Sequence, residues 1–240
     1  MIKIGKTFVR NYMTLDFEFT GVRIQDTTLT SVDWYLSINL VAASHNGDKQ
    51  RVEKERNASI AYQRLYFWLD ANLPHVIAID ASNEDDLYIA NLLSNIAMFC
   101  PGNPSDDLII QLLHSKLSKI AGDDLIISEM TLRGSDTALQ YTFDVQGGSY
   151  ELPELTADYC LSGIARDKQA WWTRNDGFCF EFIMPEDSDA LAEEIFKEIV
   201  DPLDEFNKVI LEMTDSKIGI VREPAKIVQV EKWKPKKVEE

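Results

Sequence analysis

Polar and apolar residues alternate from Tyr12 to Val22, with Leu15, Phe17 and Phe19 on one side and Asp16, Glu18 and Thr20 on the other. Trp34 to Val41 repeats the pattern: Trp34, Leu36, Ile38 and Leu40 oppose Tyr35, Ser37 and Asn39. A period of two marks a half-buried strand, so each segment is predicted to lay one face on a core. A charged turn region follows, from Asn46 to Arg56. The period then becomes helical. Asn57 and Ser59 are suited to cap a helix running to about Leu69, and Ser82-Asn83-Glu84-Asp85 fits a capping box ahead of a second helix from Leu87 to Phe99. That second segment is apolar nearly all round, which predicts burial between layers. Periodicity leaves Val76 to Ile79 open as a short strand or part of a helix.

A third helix has the clearest boundaries. Pro104 and Ser105 open it, Asp106 and Asp107 complement the partial positive charge of its first turn, and Gly122 closes it. Its predicted buried stripe is Ile109, Leu112, Leu113, Leu117 and Ile120. Strands are expected at Leu125 to Leu132 and Leu139 to Val145, joined by Arg133-Gly134-Ser135-Asp136 and followed by a break at Gly147-Gly148. Phe178, Phe180 and Phe182 alternate with Cys179, Glu181 and Ile183 as a further strand. Asp187 to Met213 reads as a helix kinked or split at Pro202, which has no amide hydrogen to donate. Ile218 to Val221 and Ile227 to Val230 read as a pair of short strands. Strands at both ends of a helical block predict an α+β protein with an antiparallel sheet. Residues 1–148 form the expected core. Residues 149–240 are an extension with one strand, one long kinked helix and a charged tail.

Composition narrows the chemistry. The chain has 240 residues, is 45% hydrophobic and 10% aromatic, and can build a sizeable core. Its 24 basic and 40 acidic residues leave a formal charge of −16. Phosphate backbones are held by clustered Lys and Arg, and the body of the chain has no such cluster, so direct nucleic-acid binding is not expected. Lys232, Lys234, Lys236 and Lys237 near the C-terminus are diluted by Glu231, Glu239 and Glu240 and read as a solvated tail. Cys100, Cys160 and Cys179 are an odd set with no C-x-x-C spacing, which does not fit a secreted disulfide framework. The first ten residues lack the apolar run of a signal peptide, and the most apolar segment, Leu87 to Cys100, is too short to span a bilayer. The expectation is a cytoplasmic protein without membrane contact.

Few residues suggest chemistry. Histidine occurs only at His45, His75 and His114, and a zinc site needs three or four converging ligands, so no metal is expected. No glycine-rich phosphate loop and no G-x-S-x-G elbow is present. By strict alternation Glu129 points the same way as Leu125, Ile127 and Thr131. A carboxylate on a largely apolar face needs a partner. It therefore either faces a pocket, gripping two N–H donors of a flat heterocycle, or meets an ordinary ion-pair partner. Trp171-Trp172-Thr173-Arg174-Asn175-Asp176-Gly177 either stacks a ligand or closes a core beneath a turn.

Three short segments, Leu73-Pro74-His75-Val76-Ile77-Ala78, Pro104-Ser105-Asp106-Asp107-Leu108 and Leu125-Ile126-Ile127-Ser128-Glu129-Met130, together with Tyr141, carry a resemblance over about residues 58–145. They resemble the L-D-H-x-x-L-N segment, the P-T-x-E-N helix start and the E-T strand of the tunnelling-fold family, in particular the 6-pyruvoyl- and 6-carboxytetrahydropterin synthases. The resemblance implies a ββααββ core with an antiparallel sheet and helices on one face, assembly into rings, and Glu129 as the carboxylate that grips a pterin or purine ring. Pro74 stands where the family has Asp. Phe19-Thr20-Gly21-Val22 and Val32-Asp33-Trp34 hold none of the family's zinc histidines, and its nucleophilic cysteine is absent. Zinc-dependent synthase activity is therefore not expected, although some tunnelling-fold enzymes, such as dihydroneopterin aldolase and urate oxidase, use no metal. The leading expectation is a non-catalytic binding or assembly module, homo-oligomeric and without cofactor. One alternative is a metal-free enzyme acting on a purine or pterin, with Glu129 anchoring the ring and His75 moving a proton. The other is an acidic inhibitor or DNA mimic that engages a basic protein partner.

Overall fold

The computed structural model describes residues 12–42, 48–94, 96–137, 139–144, 169–182 and 201–215. Two long strands, β1 (Tyr12–Gln25) and β2 (Thr28–Ala42), pair antiparallel along their whole length. Leu15, Phe19, Val32, Trp34, Leu36, Ile38 and Leu40 are buried on one face, as the period of two requires. The connection is a two-residue turn, Asp26-Thr27, with φ of 48° and 63°. Both residues need positive φ in the hairpin turn that matches strand twist, and glycine usually supplies it. Here Asp86 supplies an anchor, its Oδ1 accepting the Thr27 amide hydrogen at 2.8 Å.

The next elements are α1 (Asp48–Asn72), β3 (Val76–Asp80), α2 (Glu84–Leu93), β4 (Ile96–Cys100), α3 (Asp106–Ala121), β5 (Leu125–Gly134) and β6 (Tyr141–Asp144). Then come β7 (Glu181–Phe182) and the helix α4 (Pro202–Asp215). The strands form one seven-stranded sheet in the order β6-β5-β2-β1-β3-β4-β7. Helices α1 and α3 pack on each other and on β5, and α4 packs on α1. The third helix is bounded as its caps predict, with Ser105 before it and Gly122 at φ 62° after it. Its whole predicted stripe is buried.

The α+β architecture is as expected, and β6-β5-β2-β1 is an antiparallel block. The sheet continues differently beyond β1, because β1–β3 and β3–β4 are parallel. The predicted second helix is the cause. It stops at Leu93, with Ser94 as its C-cap, and Ile96 to Cys100 becomes a strand. A short apolar run has no period that separates a buried strand from a buried helix. Asn83, not Ser82, caps α2, its Oδ1 accepting the amide hydrogens of Asp85 and Asp86. Two buried residues on opposite faces of β3, Ala78 and Ile79, show that the parallel portion is covered on both sides. Helix α2 packs on β3 and β1, where Ile24 is also fully buried.

Two other boundaries move. Helix α1 begins at Asp48, so most of the charged stretch expected as a turn is helical. It carries no apolar period there, and periodicity reports burial, not helicity. Phe178 and Phe180 lie outside regular strand, and among the described residues Glu181 and Phe182 pair with β4. Pro202 opens α4, with Asp201 capping it through the Leu203 amide at 2.8 Å. The expected helical residues before Asp201, the glycine pair at 147–148, the strands near 218–230 and the lysine tail lie outside the described residues.

Candidate functional site

Glu129 does not point into the core. The ladder between β2 and β5 shifts register between Asn39 and Leu40, and Ser128 is the extra residue, its hydroxyl donating to the Asn39 carbonyl at 3.0 Å. A bulge reverses the phase of alternation. Leu125 and Ile127 before it and Met130 and Leu132 after it are buried, while Glu129 turns to the opposite face with Thr131. The carboxylate is half-buried and accepts from Asn39 Nδ2 at 2.8 Å; Asn39 Oδ1 accepts in turn from Thr14 at 3.1 Å. This corrects the expectation that Glu129 shares a face with Leu125 and Ile127.

His75 is exposed, in the turn between α1 and β3, at φ 63°. Its amide donates to the Thr20 carbonyl at 2.7 Å and starts the pairing of β3 with β1. Asn39 lies opposite Thr14. Thr14 and Thr20 are six residues apart on β1, which separates Glu129 from His75 by about 20 Å or more within one chain. The two residues do not share a site. His114 is partly buried on α3, and burial pushes its pKa down. His45 lies outside the described residues. The tryptophan pair closes a core: Trp171 and Trp172 are buried edge to face, and Trp171 Nε1 donates to the Phe99 carbonyl at 2.9 Å.

Two buried charge clusters were missed by the sequence reading. Arg23 occupies a core-facing position of β1, in phase with Leu15, Phe17 and Phe19, and is ion-paired with Asp106 and, at 2.7 Å, with Asp136. Asp106, the first residue of α3, also accepts from Trp34 Nε1 at 2.9 Å, the Gly134 amide at 3.2 Å and the Thr137 hydroxyl at 3.2 Å. The guanidinium sits 5.6 Å from the centre of the Trp34 ring. This cluster lies where β1, β3 and β4 end, beside Cys100, whose thiol pKa is raised by burial and by Asp80 and opposed by Arg23. A thiol held protonated there is a poor nucleophile. An arginine in phase with buried residues is the signal that could have found the cluster.

The second cluster centres on Lys116 of α3, which has no exposed surface. Its Nζ donates to the Arg174 carbonyl at 3.0 Å and pairs with Asp176 at 3.1 Å, while Asp176 also pairs with Arg174 Nε at 2.8 Å. Desolvation lowers the Lys116 pKa, and Asp176 opposes it. Each cluster pairs its buried cations with carboxylates from other segments, which suits it to join elements.

An open groove of about 430 Å³ lies between the start of β1, the end of β2 and α1. Met13, Ala42 and Ala58 give it apolar walls, with Thr14, Tyr62 and Glu55 adding polar atoms. Glu129 does not line it, and hydrogen bonds through Asn39 and Thr14 connect the two. Among the described residues no group of three or more His, Cys, Asp or Glu is placed to hold a metal ion, and no helix is long and apolar enough to cross a membrane. No protein-family model matches the chain, and no curated protein matches it.

Proposed function

We propose that this chain is a non-catalytic binding or assembly module that self-associates through a tunnelling-fold-like core. The observation that carries the reading is the one-sided antiparallel block. Strands β6, β5, β2 and β1 lie side by side, with α1 and α3 packed together on β5. The other face of β1 and β2 presents Thr14, Asp16, Glu18, Thr20, Asp33 and Tyr35 to solvent. With β3, α2 and β4 taken as an insertion, the order is two strands, two helices, two strands. The resemblance implies that order for a sheet that builds rings. The internal pairing of Arg23 and Lys116 further supports a structural use of the buried charges. Native mass spectrometry of gently purified protein, with light scattering at micromolar concentration, tests the reading. A discrete oligomer is expected; a monomer overturns it.

The half-buried carboxylate of Glu129 favours a second reading, a metal-free site for a purine or pterin. Within one chain His75 is too far away to act with it, so a site using both needs two copies. A retained heterocycle in native mass spectrometry, lost in Glu129→Ala, would support this reading; unchanged retention removes Glu129 from any site.

A further inference from the structure

Helix α2 packs on β3 and β1 with one side and leaves apolar residues exposed on the other. Tyr88, Leu92 and Leu93 are 67%, 69% and 52% exposed, and Leu87 and Ala90 face inward. Tyr88 and Leu92 are one turn apart and form a continuous row with the exposed Glu84, because residues four apart share a helix face. Isolated exposed apolar residues are ordinary on a protein surface; three within two turns form a patch. The charge on α2 is of one sign: it carries Glu84, Asp85 and Asp86 and no Lys or Arg. Glu84 and Asp85 are exposed at the N-terminal end of the patch.

An apolar strip with an acidic rim selects its occupant by charge. A second copy laid parallel on the same strip would set Glu84 and Asp85 against their own counterparts. A segment with apolar residues on one side and lysine or arginine on its flanks would cover the strip and pair with the rim. We propose that the outer face of α2 is the docking surface for a cationic amphipathic segment of a protein partner. This surface lies outside the β6-β5-β2-β1 block and is independent of its self-association.

The test uses the full chain and a labelled amphipathic helical peptide of leucine and lysine, read by fluorescence anisotropy. Tyr88→Ser/Leu92→Ser is expected to weaken binding about tenfold, by loss of buried apolar area. Ile126→Ser/Leu139→Ser, at exposed apolar positions elsewhere, is expected to leave it unchanged. Glu84→Gln/Asp85→Asn is expected to reduce the salt dependence of binding. Equal weakening in both serine pairs, or no binding by the wild type, overturns the proposal. An oligomer that Tyr88→Ser/Leu92→Ser dissociates also overturns it, because the face then covers a second copy. A monomeric wild type that still binds the peptide through α2 removes the assembly reading and supports this one.

Discussion

At the scale of single residues, sensitivity to substitution concentrates where a charge is buried. Asp106 meets Arg23, Trp34, Gly134 and Thr137 at one point, tying β1, β2, α3 and the turn after β5 together. Asp106→Ala leaves Arg23 buried without its main partner and is expected to cost about 3–5 kcal/mol in urea unfolding. A double-mutant cycle with Arg23→Met is expected to show strong coupling, since the second change removes the stranded charge. Lys116 has the opposite pH signature from a stabilised ion. Burial lowers its folded pKa below the ordinary lysine value, so between the two values the unfolded chain binds more protons. Stability from this group therefore rises as pH increases toward its unfolded pKa. Lys116→Met is expected to remove that rise, measured as the difference in unfolding free energy between wild type and variant from about pH 8 to about pH 10. Both residues are charged groups in core positions, which hydropathy alone assigns to the surface.

At the scale of elements, the hairpin and the bulge show how far local pattern reaches. Period two marked β1 and β2, but the strands run on to a turn without Asn-Gly or Asp-Gly, so the hairpin was not legible there. Asp26 and Thr27 hold positive φ, unfavourable above all for a β-branched residue. Asp26→Asn/Thr27→Gly is expected to stabilise the protein by about 1 kcal/mol in thermal and denaturant unfolding, because the backbone amide that Asp86 accepts is retained. Helix α3 was legible at both ends because its caps and its stripe agree. Helix α2 and strand β4 look like one helix in the sequence because their apolar residues carry no usable period. Glu129 was assigned the wrong face because one extra residue, Ser128, inverts alternation without leaving a mark in hydropathy.

At the scale of the whole molecule, the described part of the extension completes the core. Residues 169–182 lie against α3 and β4, with Trp171 bonded to Phe99, Ser115 to the Trp172 carbonyl and Lys116 to Arg174. Phe206 of α4 packs on Phe67 of α1 at 5.7 Å between ring centres. Trp171→Ala is expected to cost about 3–5 kcal/mol, from lost contacts and the lost hydrogen bond to the Phe99 carbonyl, with a lowered urea midpoint as the readout.

The sequence by itself determined the α+β class, the two long strands, the third helix with its buried stripe and the strand that carries Glu129. These follow from periods and caps, which are local. Tertiary structure alone decided the parallel strands β3 and β4, the face of Glu129, the distance between Glu129 and His75, and the pairing of Arg23 with Asp106. Each of those depends on which distant segment lies alongside, and neither the period of a segment nor its charge specifies its neighbour.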